Sequence, residues 1–525
     1  MSRPGFVLEV DERTPALLVH EGEGFRLEKF PLGTRVIYPP ESLPALPDVD
    51  ATIARALAYP VGSEPLAQLL RPGMRLTIVF DDLSIPLPPM RAPDIRQRVI
   101  EHVLELAAQH GVDDVELIAG NSLHRRMTPA ELKRTVGERV FRSFFPRHLR
   151  NHDAEDRANL TEVGQTRHGE VVEINRRAAE SDLVVYVNVT LTAMSGGPKS
   201  VSVGLASYRS LKHHHNVHTL RNSRSFNDPP SSAMHHSYDR MAAVLDEHVK
   251  IFQIEATVNN DTFPSYVGFL NKREWEWNLR DQAAYLAVKR ANDLAPPRRR
   301  RQIWQKTEAP YGITSVTAGA PAEVHAITLK NVLRQQLTEV DGPSDIGVWG
   351  LPYICPYNVN SIMNPILVMS LGLGYFFNLY RGQPIVRPGG VAIYYHPMRN
   401  EFHPLHHPSY IDFYEEVLAE TTDPLAIETK YEEQFATDPW YIHLYRNSYA
   451  YHGVHPLYMW YWGAHALEHL GDVIFVGAHR STAARLGFRV ASTLDDALEM
   501  AKDRVGRSPS ISYLHTPPLT MADVR

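Results

Sequence analysis

The sequence predicts an α/β protein of two domains, each a mainly parallel sheet flanked by helices, with an active site in the cleft between them. Two observations carry this. Short apolar runs rich in β-branched residues alternate with stretches of helical periodicity, the pattern of strands joined by crossover helices. The length, 525 residues, exceeds what one ordinary hydrophobic core organises, so the chain is expected to divide. With 43% apolar and 22% charged residues, the composition is that of a folded globular chain.

In the first half the expected strands are RLTIVF (75–80), VELIAG (115–120), DLVVYVNV (182–189) and IFQIEATV (251–258). The helical run IRQRVIEHVLELAAQHG lies between the first two and stops at Gly111, as helix C-termini prefer. Thr128 is placed to cap the next helix, with Glu131 three residues on. The second half repeats the alternation with strands at 346–351, 390–397, 472–478 and 511–517, and helices near 323–336, 361–377, 409–420 and 494–505. The polar, proline-bearing stretch 292–306 reads as a surface connection. The division falls between about 300 and 345 and is drawn as domains 1–325 and 326–525. No internal repeat or low-complexity tract is evident.

The formal charge of −6 and the lack of any basic tract beyond RRRR (298–301) give nucleic-acid binding little support. The single cysteine, Cys355, excludes an intramolecular disulfide or a multi-cysteine metal site and fits a reducing compartment. The start, MSRPGFVLEVDERT, lacks a secretory apolar core, and PILVMSLGLGYFF (365–377) is too short and glycine-punctuated to span a bilayer. The expectation is a cytoplasmic protein with no membrane partner, in which 365–377 is a buried helix. An oligomer is compatible with the sequence.

Chemistry concentrates where strands end. Asp81 and Asp82 follow RLTIVF at the edge where open α/β sheets bind ligands, although capping the next turn is an equal alternative. VELIAG delivers His124 to the same edge, beside Asn121 and Ser122. DLVVYVNV leads to TLTAMSGGPKS, where Gly196 and Gly197 allow backbone approach to an anionic group. The GxxxxGK[ST] spacing of a P-loop is absent, so nucleoside triphosphate hydrolysis is a weak candidate. Lys199 is then a phosphate contact, a nucleophile or a solvated residue, and spacing alone favours solvation. His213, His214 and His215 cannot all face one way. One histidine makes a poor metal site, so any metal needs most of its ligands from a cofactor.

Taken together, DDLSIPLP, AGNSLHRRMT and SGGPK, with His215 sixteen positions beyond Lys199, resemble the strand-end loops of the lactate racemase family, whose members use a nickel-pincer nucleotide. The stretch LTEVGQTRHGEVVEINRRAAESDLVV (160–185) and the C-terminal LGFRVASTLDDALEMAKDRVGRSPSISYLHTPPLT are similar to the family as well, so the resemblance spans nearly the whole chain and is weakest in its second half. It implies that Lys199 holds the cofactor covalently through a thioamide and that His215 binds its nickel, the cofactor supplying a carbon and two sulfurs. Asp82, Ser84, Ser195, Gly196 and Gly197 then belong to the cofactor-binding loops. It implies reversible transfer of a substrate α-hydride, with His124 as the base that takes the hydroxyl proton, and it implies cofactor maturation enzymes as partners.

The match breaks at substrate-facing positions. Ile85 stands where the family carries an arginine, Ser84 where it has threonine, and Val189 where it has a second catalytic histidine. Met363 and Ile366 occupy the places of a glutamine and a lysine. Isoleucine cannot give a carboxylate the two-point grip of a guanidinium. The implied substrate is therefore a 2-hydroxy acid other than lactate, larger or sugar-acid-like, with the isomerase reading intact. Replacement contacts are sought at Tyr394, Tyr395 and His396 or at His403, His406 and His407, each of which has a surface or subunit-contact role as its alternative. A substitute second base is sought at His213, His214 or in the second domain. A redox isomerase or dehydrogenase using the same cofactor, and a non-catalytic cofactor-binding homologue, are the competing readings.

Overall fold

The computed structural model describes residues 3–84 and 88–525, so Ile85 lies outside the described residues. Six strands form the first sheet: β1 (Arg75–Asp81), β2 (Asp114–Gly120), β3 (Leu149–Asn151), β4 (Leu183–Thr190), β5 (Ile251–Val258) and β6 (Ile313–Gly319). Their order is β6-β5-β4-β1-β2-β3, parallel throughout except that β6 runs antiparallel to β5. Every residue of β4 is buried, as befits a central parallel strand covered on both faces. The chain builds outward from β1 to β3, then returns to begin the other side at β4. That reversal makes the β1/β4 gap a topological switch point, with a crevice beyond the strands' carboxyl ends.

The connecting helices follow the expected signals. Helix Ile95–Gln109 is capped by Asp94, whose carboxylate accepts from the Arg96 N–H, and buries Ile95, Val99, Ile100 and Val103 along one face. Thr128 and Glu131 form the reciprocal capping box that opens helix Pro129–Val136.

The second sheet has seven strands, in the order Phe6–Glu9, Arg35–Tyr38, Ile511–Leu514, Ser344–Gly350, Val386–Tyr395, Asp472–Val476 and Arg489–Ala491. Only the edge strand Phe6–Glu9 is antiparallel to its neighbour. Two of these strands come from the start of the chain, so the sheets do not follow a division at 325. The runs FVLE and RVIY are too short for alternation to announce them. One apolar core runs continuously through both halves.

The stretch 292–306 is helical, not an open connection: helix Leu279–Leu294 is followed after a break by Pro297–Lys306. Pro297 opens the second helix at a position where its missing N–H has no intrahelical partner to lose. Residues 365–377 are buried as expected, as helix Pro365–Met369 continuing into a π-helical turn at Ser370–Phe376. Among the described residues no helix is long and apolar enough to cross a membrane.

Candidate active site

A cleft of about 970 Å³, counted out to its solvent-facing mouth, opens over the β1/β4 switch point. The loops after β1, β2 and β4 form its floor, and Pro356, Tyr357, Tyr375 and Trp462 of the second half form its far wall. Residues separated by more than a hundred positions converge here because parallel strands deliver all their carboxyl ends to one edge.

His124, in the loop after β2, is held from below. Its Nδ1 lies 2.9 Å from Asp82 Oδ2 and 3.0 Å from Ser84 Oγ. Ser84 also donates to Asp82 through its backbone N–H (3.0 Å) and its hydroxyl (3.1 Å). Burial acts to raise the Asp82 pKa, but the adjacent His124 ring and the Ser84 hydrogen bonds outweigh it and hold the carboxyl below its ordinary value. An ionised Asp82 keeps the proton on Nδ1 and leaves Nε2 as the basic atom. Asp82 and Ser84, assigned by resemblance to cofactor binding, thus make their closest contacts with the histidine.

Asp81 turns the other way. Its carboxylate accepts from Asn188 Nδ2 (2.7 Å) and from the Val189 N–H (2.8 Å), both on β4, and so bridges the switch point. Burial pushes its pKa up to about 7, opposed chiefly by the Val189 hydrogen bond. The strand end carrying both aspartates is clamped by the buried Arg96. Its Nη1 donates to the carbonyls of Asp81 (2.8 Å) and Asp82 (2.6 Å), while Nη2 and Nε pair with Asp94 (2.7 and 3.0 Å).

The SGGPK loop owes its shape to the glycine pair and to Glu255 on β5. Gly196 and Gly197 have φ of +79° and +83°, the left-handed region that side chains disfavour. A Cβ on Gly196 would meet Glu255 Oε1 at 2.6 Å, and one on Gly197 would meet the His325 ring at 2.8 Å. Glu255 is fully buried yet saturated: it accepts from the Gly197 N–H (2.6 Å), Gln253 Nε2 (3.3 Å), Thr190 Oγ1 (3.3 Å) and His325 Nδ1 (3.2 Å). Gly197→Ala is therefore expected to cost at least about 1–2 kcal/mol from backbone strain alone. A lowered denaturation midpoint in the variant checks this.

Lys199 begins the helix Lys199–Gly204, its amine 5.3 Å from the centre of the Tyr238 ring. Burial pulls its pKa down to about 8, against the opposing fields of Asp81 and Glu255. Burial therefore favours the neutral, nucleophilic amine more than at an exposed lysine. His215 faces the same cleft, its ring between Tyr458 and Trp462 (centroids 5.3 and 5.6 Å). Burial, then the nearby Lys199, pushes its pKa down to about 3, so the imidazole is neutral; with Nδ1 donating to His214 Nδ1, Nε2 keeps its lone pair. Ser195 and Gly196 line the cleft, whereas Gly197 lies one layer behind, against Glu255 and His325.

The replacement contacts expected from the sequence are not here. Tyr394 is buried in the second sheet, stacked on Trp349 and donating to the Gly372 carbonyl; Tyr395 donates to Glu28. His396 is buried beside Gly22. His403, His406 and His407 pack on one another and on Ser361 and Asn364. Met363 and Ile366 are core residues. His214 is buried behind His215, their Nδ1 atoms 2.6 Å apart, and neither it nor His213 lines the cleft. What the second half contributes instead is aromatic: Tyr357 and Tyr375, with hydroxyls 2.8 Å apart, and Trp462. Their one advance signal was the density of aromatics in that half, which names no position.

Residues 24–228 match the family model described as the lactate racemase N-terminal domain. The lactate racemase of Lactiplantibacillus plantarum is 27% identical over 168 residues, 31% of this chain and 38% of that protein. That of Thermoanaerobacterium thermosaccharolyticum is 25% identical over 179 residues, 32% of this chain and 39% of that protein. The matched stretch thus spans less than two-fifths of each curated relative. Among solved structures, the lactate racemase apoprotein from T. thermosaccharolyticum superposes with a TM-score of 0.63 at 16% identity, covering 97% of this chain and 99% of that one. A Thermotoga maritima protein gives 0.52 at 14%, covering 92% and 100%. These superpositions show a shared fold over nearly the full length.

Proposed function

The chain is a divergent member of the lactate racemase family through its residues 24–228, and on that premise we propose that it racemises or epimerises a 2-hydroxy acid other than lactate. The observation that supports this best is the meeting of Lys199, His215 and His124 in one cleft at the switch point of the first sheet.

The residues present fit a nickel-pincer nucleotide. Among the described residues no trio of histidine, cysteine or carboxylate side chains is grouped to hold a metal, so a metal in this cleft has to bring most of its own donors. One neutral imidazole, His215, and one partly neutral amine, Lys199, are what such a group requires of the protein: a nickel ligand and a point of covalent attachment. When bound, the cofactor supplies a reversible acceptor for hydride.

The chain's own residues move the proton and shape the pocket. His124 Nε2 takes the hydroxyl proton as the C–H hydrogen departs, and the Asp82 carboxylate stabilises the imidazolium. The hydroxyls of Tyr357 and Tyr375 offer one donor beyond the bond they share. Among the described cleft-lining residues Lys199 is the only Lys or Arg, and Ile85, Pro86 and Leu87 add none by sequence. A small carboxylate such as lactate's, drawn fully inside, would lack a counter-ion. A larger 2-hydroxy acid gains what lactate lacks here, an aromatic or hydroxylated tail that packs against Tyr357, Tyr375 and Trp462.

Co-production with the cofactor's maturation enzymes, followed by intact mass and nickel analysis, tests the reading. The wild-type protein is expected to gain the cofactor mass and about one nickel per chain. Lys199→Ala is expected to lose the added mass, and His215→Ala most of the nickel. Loaded protein is then offered both antipodes of 2-hydroxy-3-phenylpropanoate and of aldonic acids, with chiral chromatography as the readout. A protein that stays unmodified and nickel-free overturns the proposal. Loading without turnover of either class leaves a cofactor-binding homologue.

A further inference from the structure

Interconverting two antipodes requires that the substrate present either face to one hydride acceptor. The hydroxyl oxygen then occupies two positions, and each needs a group that can hold its proton. His124 serves one side only, because Asp82, Ser84 and the loop after β2 fix it there.

The other side of the strand end carries a second titratable group. In the sheet order β4-β1-β2, the final residues of β1 stand between Val189 and the loop of His124. The two aspartates at this strand end diverge. Asp82 turns toward β2 and contacts His124, whereas Asp81 turns toward β4 and contacts Asn188 and Val189. Both Asp81 and His124 line the cleft. Each Asp81 oxygen accepts one hydrogen bond from β4, which leaves a lone pair on each for a further partner.

We propose that Asp81 is the second acid–base residue of the cleft, opposed to His124 across the end of β1 and serving the antipode whose hydroxyl lies toward β4. This assignment rests on the racemase reading above. As the C–H hydrogen leaves with its electron pair for the nickel cofactor, the O–H bond breaks, its pair forms the C=O bond, and the proton joins the Asp81 carboxylate. On return, hydride adds to the carbonyl carbon and Asp81 gives the proton back to the oxygen. The carboxyl is suited to both directions, since burial brings its pKa to about 7. Asn188 is locked as a donor toward it, because Asn188 Oδ1 already accepts from Ser200 (3.0 Å) and from Gln253.

The test is isotope crossover on loaded protein, with the C2-deuterated antipodes of 2-hydroxy-3-phenylpropanoate and unlabelled 3-phenylpyruvate. Wild-type protein is expected to pass deuterium from either antipode into both products. Asp81→Asn is expected to lower exchange from one antipode at least about 100-fold, the scale of a lost general base, and to leave the other within about threefold; His124→Ala shows the opposite preference. Asp81→Glu should restore part of the loss.

Two readouts other than activity accompany it. Intact mass with nickel content, and the affinity of unloaded protein for 3-phenylpyruvate by quenching of tryptophan fluorescence, should both match wild type in Asp81→Asn. Equal loss for both antipodes, unchanged exchange in Asp81→Asn, or a fall in loading or keto-acid affinity that accounts for the loss each overturns the assignment. Absence of exchange in the wild-type protein removes the racemase reading for this substrate class, and the assignment with it.

Discussion

His124→Ala is expected to lower turnover of the loaded protein by about 100- to 10,000-fold, the usual contribution of a positioned general base, while leaving cofactor mass and nickel content unchanged. The separation follows from the geometry. His124 contacts Asp82, Ser84 and the Tyr357 ring, whereas Lys199 and His215, the residues proposed to hold the cofactor, are not among its contacts. Asp82→Asn should act through the same atom. Asp82 now uses one oxygen for the Ser84 N–H and the other for Ser84 Oγ and His124 Nδ1. An asparagine offers a single acceptor oxygen. If its amide N–H₂ faces His124, the ring must accept at Nδ1 and carry its proton on Nε2, which removes the base. A loss of about 100-fold or more is expected from such a tautomer change, with KM little altered. Because the Asp82 carboxyl lies below its ordinary range, its protonation is complete only at still lower pH, so the variant should show the loss across the whole neutral range. Steady-state rates at several pH values, with nickel content measured on the same samples, check both variants. Turnover within a few-fold of wild type in His124→Ala would remove the histidine from the chemistry.

What could be read in the sequence was whatever local pattern decides. The central strands β1, β2, β4 and β5 are unbroken apolar runs, and the helices between them carry their own caps, so both were visible without tertiary information. Asp82 and His124 were placed at the cleft for the same reason, since parallel topology sends strand C-terminal loops to one edge, whereas Lys199, which spacing alone reads as solvated, and His215, which lies two short helices further on, were singled out by the resemblance. Partners chosen by three-dimensional packing were not visible. Nothing local marks Glu255 as the acceptor under Gly197, Arg96 as the clamp on Asp81 and Asp82, or Phe6–Glu9 and Arg35–Tyr38 as strands of the distant second sheet. Tyr394 and Tyr395 end a strand of the second sheet that does not line the cleft, which strand periodicity alone does not reveal. Their hydroxyls are instead engaged by Gly372 and Glu28. The valine at 189, where the resemblance calls for a histidine, looks like a lost function when only the sequence is seen. In the fold its backbone N–H holds the carboxylate of Asp81 at that wall of the cleft.

Arg96→Ala is expected to give the largest loss of stability of any single change near the site, about 3–5 kcal/mol. The guanidinium and its partner Asp94 are both almost wholly buried. Truncating the arginine leaves the Asp94 carboxylate with only the Arg96 N–H that caps the helix, and strips the Asp81 and Asp82 carbonyls of their donor. Lysine cannot substitute: a single ammonium lacks the planar fork that reaches Asp94 on one side and two carbonyls on the other. Arg96→Lys should therefore fall between wild type and alanine. In chemical denaturation these variants should shift the midpoint at unchanged slope, the mark of altered stability without altered compactness. The paired change Asp94→Asn/Arg96→Met separates stability from function. It keeps the helix cap and removes both buried charges together, so most of the stability should return. The strand end bearing Asp81 and Asp82 still lacks its clamp, so turnover should remain depressed even where the folded protein is as stable as wild type. Full recovery of turnover with stability would mean that the aspartates are positioned by β1 and β4 alone.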